Sequence, residues 1–130
     1  MAPKLLSDEN RFKLAVFAAN VSGSTAVTNA PGRIQVTWDE SRAIAQLADR
    51  LGFDAIIPVA RWKGFEGPIR QNDRSFETMT WAAGIAAITE RIQVFATVHV
   101  PTVHPVRMAK EIVTIDHISN GRVGLNIVAG

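Results

Sequence analysis

Short apolar runs alternate along this chain with longer stretches whose apolar residues recur every three or four positions. Residues 12–18 (FKLAVFA) form a mostly apolar run rather than an alternating one, as expected for a strand covered on both faces. A polar loop at 19–36, rich in Ser, Thr, Asn, Gly and Pro, follows it. Thr37 and Glu40 then have capping-box spacing, and Ile44, Leu47, Ala48 and Leu51 supply the i, i+3, i+4, i+7 stripe of one buried helix face. Gly52 is the expected stop, because glycine accepts the left-handed conformation past a helix end.

The same unit repeats. A second strand is predicted at 55–59 and a second polar loop at 61–74, after which Ser75 is the expected cap of a helix running through Trp81 to about Ile88. Ala82, Ala83, Ala86 and Ala87 make that helix small-faced, so a neighbouring backbone can come close. The third strand falls at 92–97, and its helix opens at Pro105, where a missing N–H costs nothing. Met108, Ile112 and Ile115 mark the buried stripe of that helix as far as Ser119, Gly121 ends it, and 123–128 is the fourth strand. That strand reaches Ala129 and Gly130 with no closing turn or helix, the pattern expected inside a longer protein.

Strand followed by helix, repeated, implies parallel strands joined by right-handed crossovers. Two architectures fit: half of an eight-fold barrel, or most of a small doubly wound sheet. The loops after the first two strands are long, whereas the returns from helix to strand (Gly52-Phe53-Asp54 and Glu90-Arg91) are short. This asymmetry favours the barrel, whose function-bearing loops follow the strand C-terminal ends.

Composition narrows the function classes. Hydrophobic residues make up 47% and charged residues 20%, enough for a core and too apolar for a disordered chain. The formal charge is +2, with Lys and Arg scattered, which argues against a nucleic-acid surface. The absence of cysteine rules out a disulfide scaffold and thiolate metal sites. No signal-peptide core and no membrane-length apolar run is present, so a cytoplasmic location is expected.

Candidate chemistry is sparse. Gly64-Phe65-Glu66-Gly67 lacks the spacing of a phosphate loop, and His99, His104 and His117 lack metal-ligand spacing, so no metal site is expected. His104 reads as a residue that opens the helix before Pro105, and His117 as a partner of its C-terminus. His99, just past the third strand, is either an ordinary loop histidine or a site residue. Arg61, Thr97 and Asn126 fall at strand C-terminal ends. Asn126 lies among Leu125, Ile127 and Val128, where an unpaired amide costs about 1–3 kcal/mol, so it either ties strands together or faces a ligand.

Several separated blocks occur in one order: Val59-Ala60-Arg61-Trp62-Lys63-Gly64-Phe65, Ser75-Phe76-Glu77, Trp81-Ala82-Ala83-Gly84, Phe95-Ala96-Thr97, His104-Pro105, and Thr114-Ile115-Asp116-His117-Ile118-Ser119-Asn120-Gly121-Arg122. From about residue 12 to 130 the chain resembles the luciferase-like flavin-dependent monooxygenases, in particular the branch with pyrimidine and dimethylsulfone monooxygenases. The resemblance implies an α/β fold of the TIM (β/α)8-barrel family, with residues 1–130 as the N-terminal half-barrel of one domain and its fourth βα unit incomplete.

It also implies a chemistry. Reduced FMN (FMNH2), supplied by an NAD(P)H-dependent flavin reductase, would react with O2, and the flavin–oxygen adduct would transfer one oxygen atom to a sulfone, a pyrimidine or a similar small molecule. By resemblance Ala60, Arg61 and Asn126 match flavin-contacting positions, and Thr97 with Asn126 matches the pair shaping the oxygen-reaction pocket. Trp62 and His99 are the expected substrate-pocket residues. A homo-oligomer without nucleic-acid or membrane partners is implied. The alternative, from a different class, is a non-catalytic half-barrel that acts only by associating with another chain through its exposed sheet edges.

Overall fold

A computed structural model describes residues 12–130 and, ahead of them, Leu5. From residue 12 onward four strands and three helices alternate: β1 (Ala15–Phe17), α1 (Trp38–Leu51), β2 (Ala55–Ile57), α2 (Thr78–Ala87), β3 (Gln93–His99), a 3-10 turn (Val100–Thr102), α3 (Pro105–Ser119) and β4 (Val123–Val128). All strands are parallel and lie in sequence order, β1-β2-β3-β4. The α/β class expected from the alternation is the one observed.

Side chains alternate across the sheet, and the two faces differ sharply. Val16, Ile56, Val94, Ala96, Val123 and Leu125 join a single core with Ala45 and Ala48 of α1, Trp81, Ala82, Ile85 and Ala86 of α2, and Ile112 and Ile115 of α3. All three helices therefore cover one face, whereas a doubly wound sheet has helices on both. The opposite face carries Phe17, Ile57, Phe95, Thr97, His99, Gly124, Asn126 and Val128, and Phe17 is 49% exposed.

Several boundaries differ from the sequence reading, each for a local reason. The expected strand at 12–18 shortens because the Leu14 N–H donates to the Asp54 carboxylate instead of a ladder carbonyl, and Ala18 turns to φ 64°. The second strand stops at Ile57 because Pro58 has no N–H to continue the ladder. The third runs two residues beyond the expected Thr97, since pairing with β4 continues to His99 opposite Val128, so His99 belongs to the strand.

Helix ends follow suit. Thr37 does cap α1, accepting from the Glu40 N–H, but the Glu40 carboxylate accepts from the Gln35 N–H. Leu47 and Leu51 are largely exposed, and the face of α1 that is buried carries Ser41, Ala45, Ala48 and Asp49. The α2 cap is Glu77, whose carboxylate accepts from the Met79 and Thr80 N–H groups. Ser75 is unavailable for that role because its hydroxyl donates to the Arg61 carbonyl. His104 caps α3 as expected of it, its Nδ1 accepting from the Val106 N–H. Asn120, at φ 52°, takes the left-handed position one residue before the expected Gly121.

A buried carboxylate and a half-buried guanidinium lock the end of the sheet where the strands begin. The Asp49 carboxylate accepts from the N–H groups of Glu90, Arg91 and Ile92 at 2.7–3.0 Å, which fastens the end of α1 to the turn ahead of β3. Arg122 donates to the carbonyls of Ala86, Thr89 and Ile92 and to the Thr89 hydroxyl, closing the frayed end of α2. Among the described residues no helix is long and apolar enough to cross a membrane.

Candidate functional site

The strand C-terminal ends are stitched together by side chains. On the face away from the helices, Asn126 of β4 stands opposite Thr97 of β3, and its Nδ2 donates to Thr97 Oγ1 at 3.1 Å. Thr97 in turn donates its hydroxyl proton to the Pro58 carbonyl at 2.5 Å, while its own carbonyl accepts from the Thr78 hydroxyl at the start of α2. The stitch continues through Asn20, which donates to the carbonyls of Val59 and Phe76 and accepts from the Val59 N–H. Asn20 is fully buried, so its satisfied amide fixes where β1 and β2 end.

This arrangement assigns the polar atoms. Thr97 spends its proton on Pro58 and receives one from Asn126, so it holds the Asn126 amide in one orientation. Asn126 uses one N–H on Thr97, and no hydrogen bond within the described residues engages its Oδ1 or its second N–H. The two alternatives left open for Asn126, strand tie and ligand contact, are thus compatible in one side chain.

Beside this pair lies a cleft of about 550 Å3 between the end of β3, the loop after β2, and the starts of α2 and α3. Ala60, Arg61, Trp62, Thr97 and His99 all line it, so five of the six residues singled out from sequence share one cavity. Asn126 is not on its wall and connects to it through Thr97. Arg61 stacks over the Phe65 ring at 4.6 Å, and its buried Nε has no hydrogen-bond partner among the described residues. Trp62 Nε1 donates to His99 Nδ1 at 3.0 Å.

The cleft's carboxylates are engaged. Burial raises the pKa of Glu77, but the N–H groups of Thr80 and Met79 outweigh it and hold the carboxyl below its usual range. Glu111 accepts from Arg107 at 2.8 Å, and that bond raises the arginine's pKa. The two long loops form the outer rim by pairing with each other: Val21 bridges Ser75, the Ser22 N–H donates to the Arg74 carbonyl, and Asn72 donates to the carbonyls of Ser22 and Ser24. The Ser22 hydroxyl, donating to Asp73, keeps that carboxyl low.

Sequence reasoning missed Asn20 and the Trp62–His99 bond. Their partners lie 37–56 residues away, so no local spacing announces them. The one available signal for Asn20 was an amide immediately after an apolar run, at the strand end where function is expected.

A parallel βα sheet with its polar groups gathered at the strand C-terminal ends places the cleft where α/β folds hold their ligands. The model of the luciferase-like monooxygenases matches residues 12–130, and the chain belongs to that family. Pyrimidine monooxygenase RutA of Shigella flexneri is 36% identical over 99% of this chain and 35% of its own length. The same enzyme of Escherichia coli K12 is 35% identical over the same share. Among solved structures, riboflavin lyase (RcaE), determined with a modified FMN and riboflavin, superposes with a TM-score of 0.75 at 26% identity, over 92% of this chain and 30% of that one. EDTA monooxygenase from Chelativorans sp. BNC1 shares the fold, with a TM-score of 0.73 at 22% identity over 93% of this chain and 30% of that one. The chain thus spans about a third of the length of the curated relatives it matches.

Proposed function

We propose that this chain is the N-terminal half-barrel of a two-component, FMNH2-dependent monooxygenase. In this reading one oxygen atom of O2 is inserted into a small organic substrate such as a pyrimidine or a sulfone. The reduced flavin comes from a separate NAD(P)H-dependent reductase, and the assembled enzyme is a cytoplasmic homo-oligomer. The observation carrying the reading is the Asn126–Thr97–Pro58 chain beside a cleft lined by Ala60 and Arg61, in a family of oxygenases.

The residues suit a flavin in two respects. Arg61 Nε is a buried donor without an acceptor, which costs about 1–3 kcal/mol unless something supplies one. The Asn126 amide, joined to the cleft through Thr97, keeps a donor and an acceptor in reserve. Reduced flavin, when bound, supplies the electrons that activate O2. The chain's share is positioning: Ala60 leaves room for the flavin ring at the end of β2, Arg61 donates to it, and Thr97 fixes the amide with which Asn126 hydrogen-bonds it or the reacting oxygen. Gln93 Oε1, buried and without a partner on the same face, fits a sheet that further strands complete.

Oxygen electrode measurements on the full-length protein test this directly. FMNH2 with uracil or dimethyl sulfone should give substrate-dependent oxygen uptake and oxygenated product. Uptake independent of every sulfone and pyrimidine supplied refutes it.

A second reading keeps the fold without the catalysis. β1 and β4 are both edge strands, and Phe17 and Ile127 are 49% and 61% exposed, so the chain could act by pairing with another chain. Size-exclusion chromatography decides: a cooperatively melting monomer of 14.1 kDa counts against obligatory association.

A further inference from the structure

The Trp62–His99 bond fixes the protonation pattern of a group in the cleft. An indole nitrogen carries a hydrogen and cannot accept, so at 3.0 Å the His99 Nδ1 must present its lone pair. A neutral imidazole with Nδ1 accepting carries its proton on Nε2. His99 therefore stands in the cleft wall as a hydrogen-bond donor of defined tautomer, and no hydrogen bond within the described residues engages Nε2.

Its position is as informative as its proton. His99 follows Thr97 by two residues on the same face of β3, about 7 Å further along the strand, and both line the cleft. Beside it, Arg61 Nε is a second donor with no acceptor among the described residues, both oxygens of Glu77 accept from the Met79 and Thr80 N–H groups, and Glu111 accepts from Arg107 through one oxygen. The cleft wall beside these donors is aromatic and open, Trp62 being 73% exposed. An indole left that bare in water gains from being covered by an apolar or planar molecule.

We propose that His99, held by Trp62 as its Nε2–H tautomer, is a specificity-determining residue that donates to a carbonyl or sulfonyl oxygen of a small neutral substrate seated against the Trp62 ring. Trp62 is then a positioning residue as well as a wall. The cleft selects for substrates rich in acceptor oxygens and against amines and plain hydrocarbons, whose groups would leave these donors unpaired. This inference rests on the oxygenase reading and says which end of the substrate that site holds.

The test uses the full-length, FMN-loaded protein labelled with 15N, in which long-range proton–nitrogen correlations report each imidazole nitrogen. His99 should show an unprotonated Nδ1 and a protonated Nε2. Adding dimethyl sulfone should move the Nε2 resonance, and dimethyl sulfide, the same skeleton without its oxygens, should leave it in place. Trp62→Phe should mix the tautomers and weaken sulfone binding by about five- to tenfold, the loss expected for one neutral hydrogen bond. His99→Phe should raise KM for the sulfone by a similar factor, with FMN affinity, followed by flavin fluorescence, unchanged. A protonated Nδ1, or a Nε2 resonance silent to the sulfone while FMN stays bound, overturns the proposal alone. Failure of the unaltered protein to bind FMN overturns the oxygenase reading and this proposal with it.

Discussion

Replacing Asn126 with leucine separates the strand tie that the structure shows from the flavin or oxygen contact proposed for this side chain. The substitution keeps the volume close and removes every polar atom. Structurally it deletes one half-buried hydrogen bond, Nδ2 to Thr97 Oγ1 at 3.1 Å, worth about 0.5–1.5 kcal/mol. The cost should sit at the low end of that range, because Thr97 still donates to Pro58 and is left with a partner. In a full-length protein several times larger than this chain, that is a fall in Tm of roughly 1–4 °C. Catalytically the loss should be far larger. One preorganised donor removed from a reacting oxygen costs on the order of a hundredfold in turnover, about 2.7 kcal/mol of barrier. Thr97→Val provides the opposite signature, since it strands both the Pro58 carbonyl and the Asn126 N–H and should cost stability by about 1–3 kcal/mol. Thermal melting and oxygen uptake per folded molecule, measured on both variants of the full-length protein, give the comparison. A leucine variant with turnover within threefold of the parent and a lowered Tm would show that Asn126 only ties strands together, and the proposed site would lose its central residue.

Asp49→Asn cannot accept from three N–H groups as the carboxylate does, so urea melts should show a loss of about 1–3 kcal/mol for each N–H left unpaired. Although burial pushes the Asp49 pKa up, the N–H groups of Glu90, Ile92 and Arg91 bring it below its unfolded value. Its stabilisation is therefore complete above the unfolded pKa of about 3.9 and disappears as pH falls from there through the lower folded value, a slope that the asparagine variant should lack. Arg122→Met should destabilise the chain by roughly 2–4 kcal/mol, because the carbonyls of Ala86, Thr89 and Ile92, from the end of α2 to the start of β3, lose their shared donor, and amide exchange should accelerate first at Ile88 and Thr89. Gly64→Ala would bring its Cβ to 2.4 Å from the Asp73 Cα, so it should push apart the two arms of the loop after β2 at a cost of about 1–3 kcal/mol, and the displaced Asn72 should shift the amide resonances of the residues around Ser22 that it bonds.

What could be read from the sequence was whatever depends on neighbours along the chain. The alternation of strand and helix, the Thr37 cap, the stop at Gly52 and the helix opening at His104-Pro105 are each decided within four or five residues. The stripe Ile44, Leu47, Ala48 and Leu51 misleads because periodicity shows that an apolar face exists but not what covers it. Leu47 and Leu51 lie exposed, beyond the reach of the β1–β2 crossover core. Ser75 and Glu77 are both chemically able to cap α2, and the choice is made by the Arg61 carbonyl fourteen residues away.

The same distance rule explains the site. Arg61, Thr97 and Asn126 were legible because each falls at the end of a strand, and in a parallel sheet strand ends converge whatever the detailed register. Their division of labour was not legible. Only the coordinates show that the Thr97 proton is spent on Pro58, leaving Asn126 as the side chain with capacity in reserve, and that Trp62 turns His99 from an ambivalent imidazole into a donor. Both bonds join β3 to the chain after β2, whose loop is itself held by the first long loop through Val21, Ser22 and Asn72. The residues that would touch the flavin and substrate are thus held by contacts at the loop rim. Substitutions there, at Asn20 or Asn72, should alter the chemistry of the cleft without touching its lining.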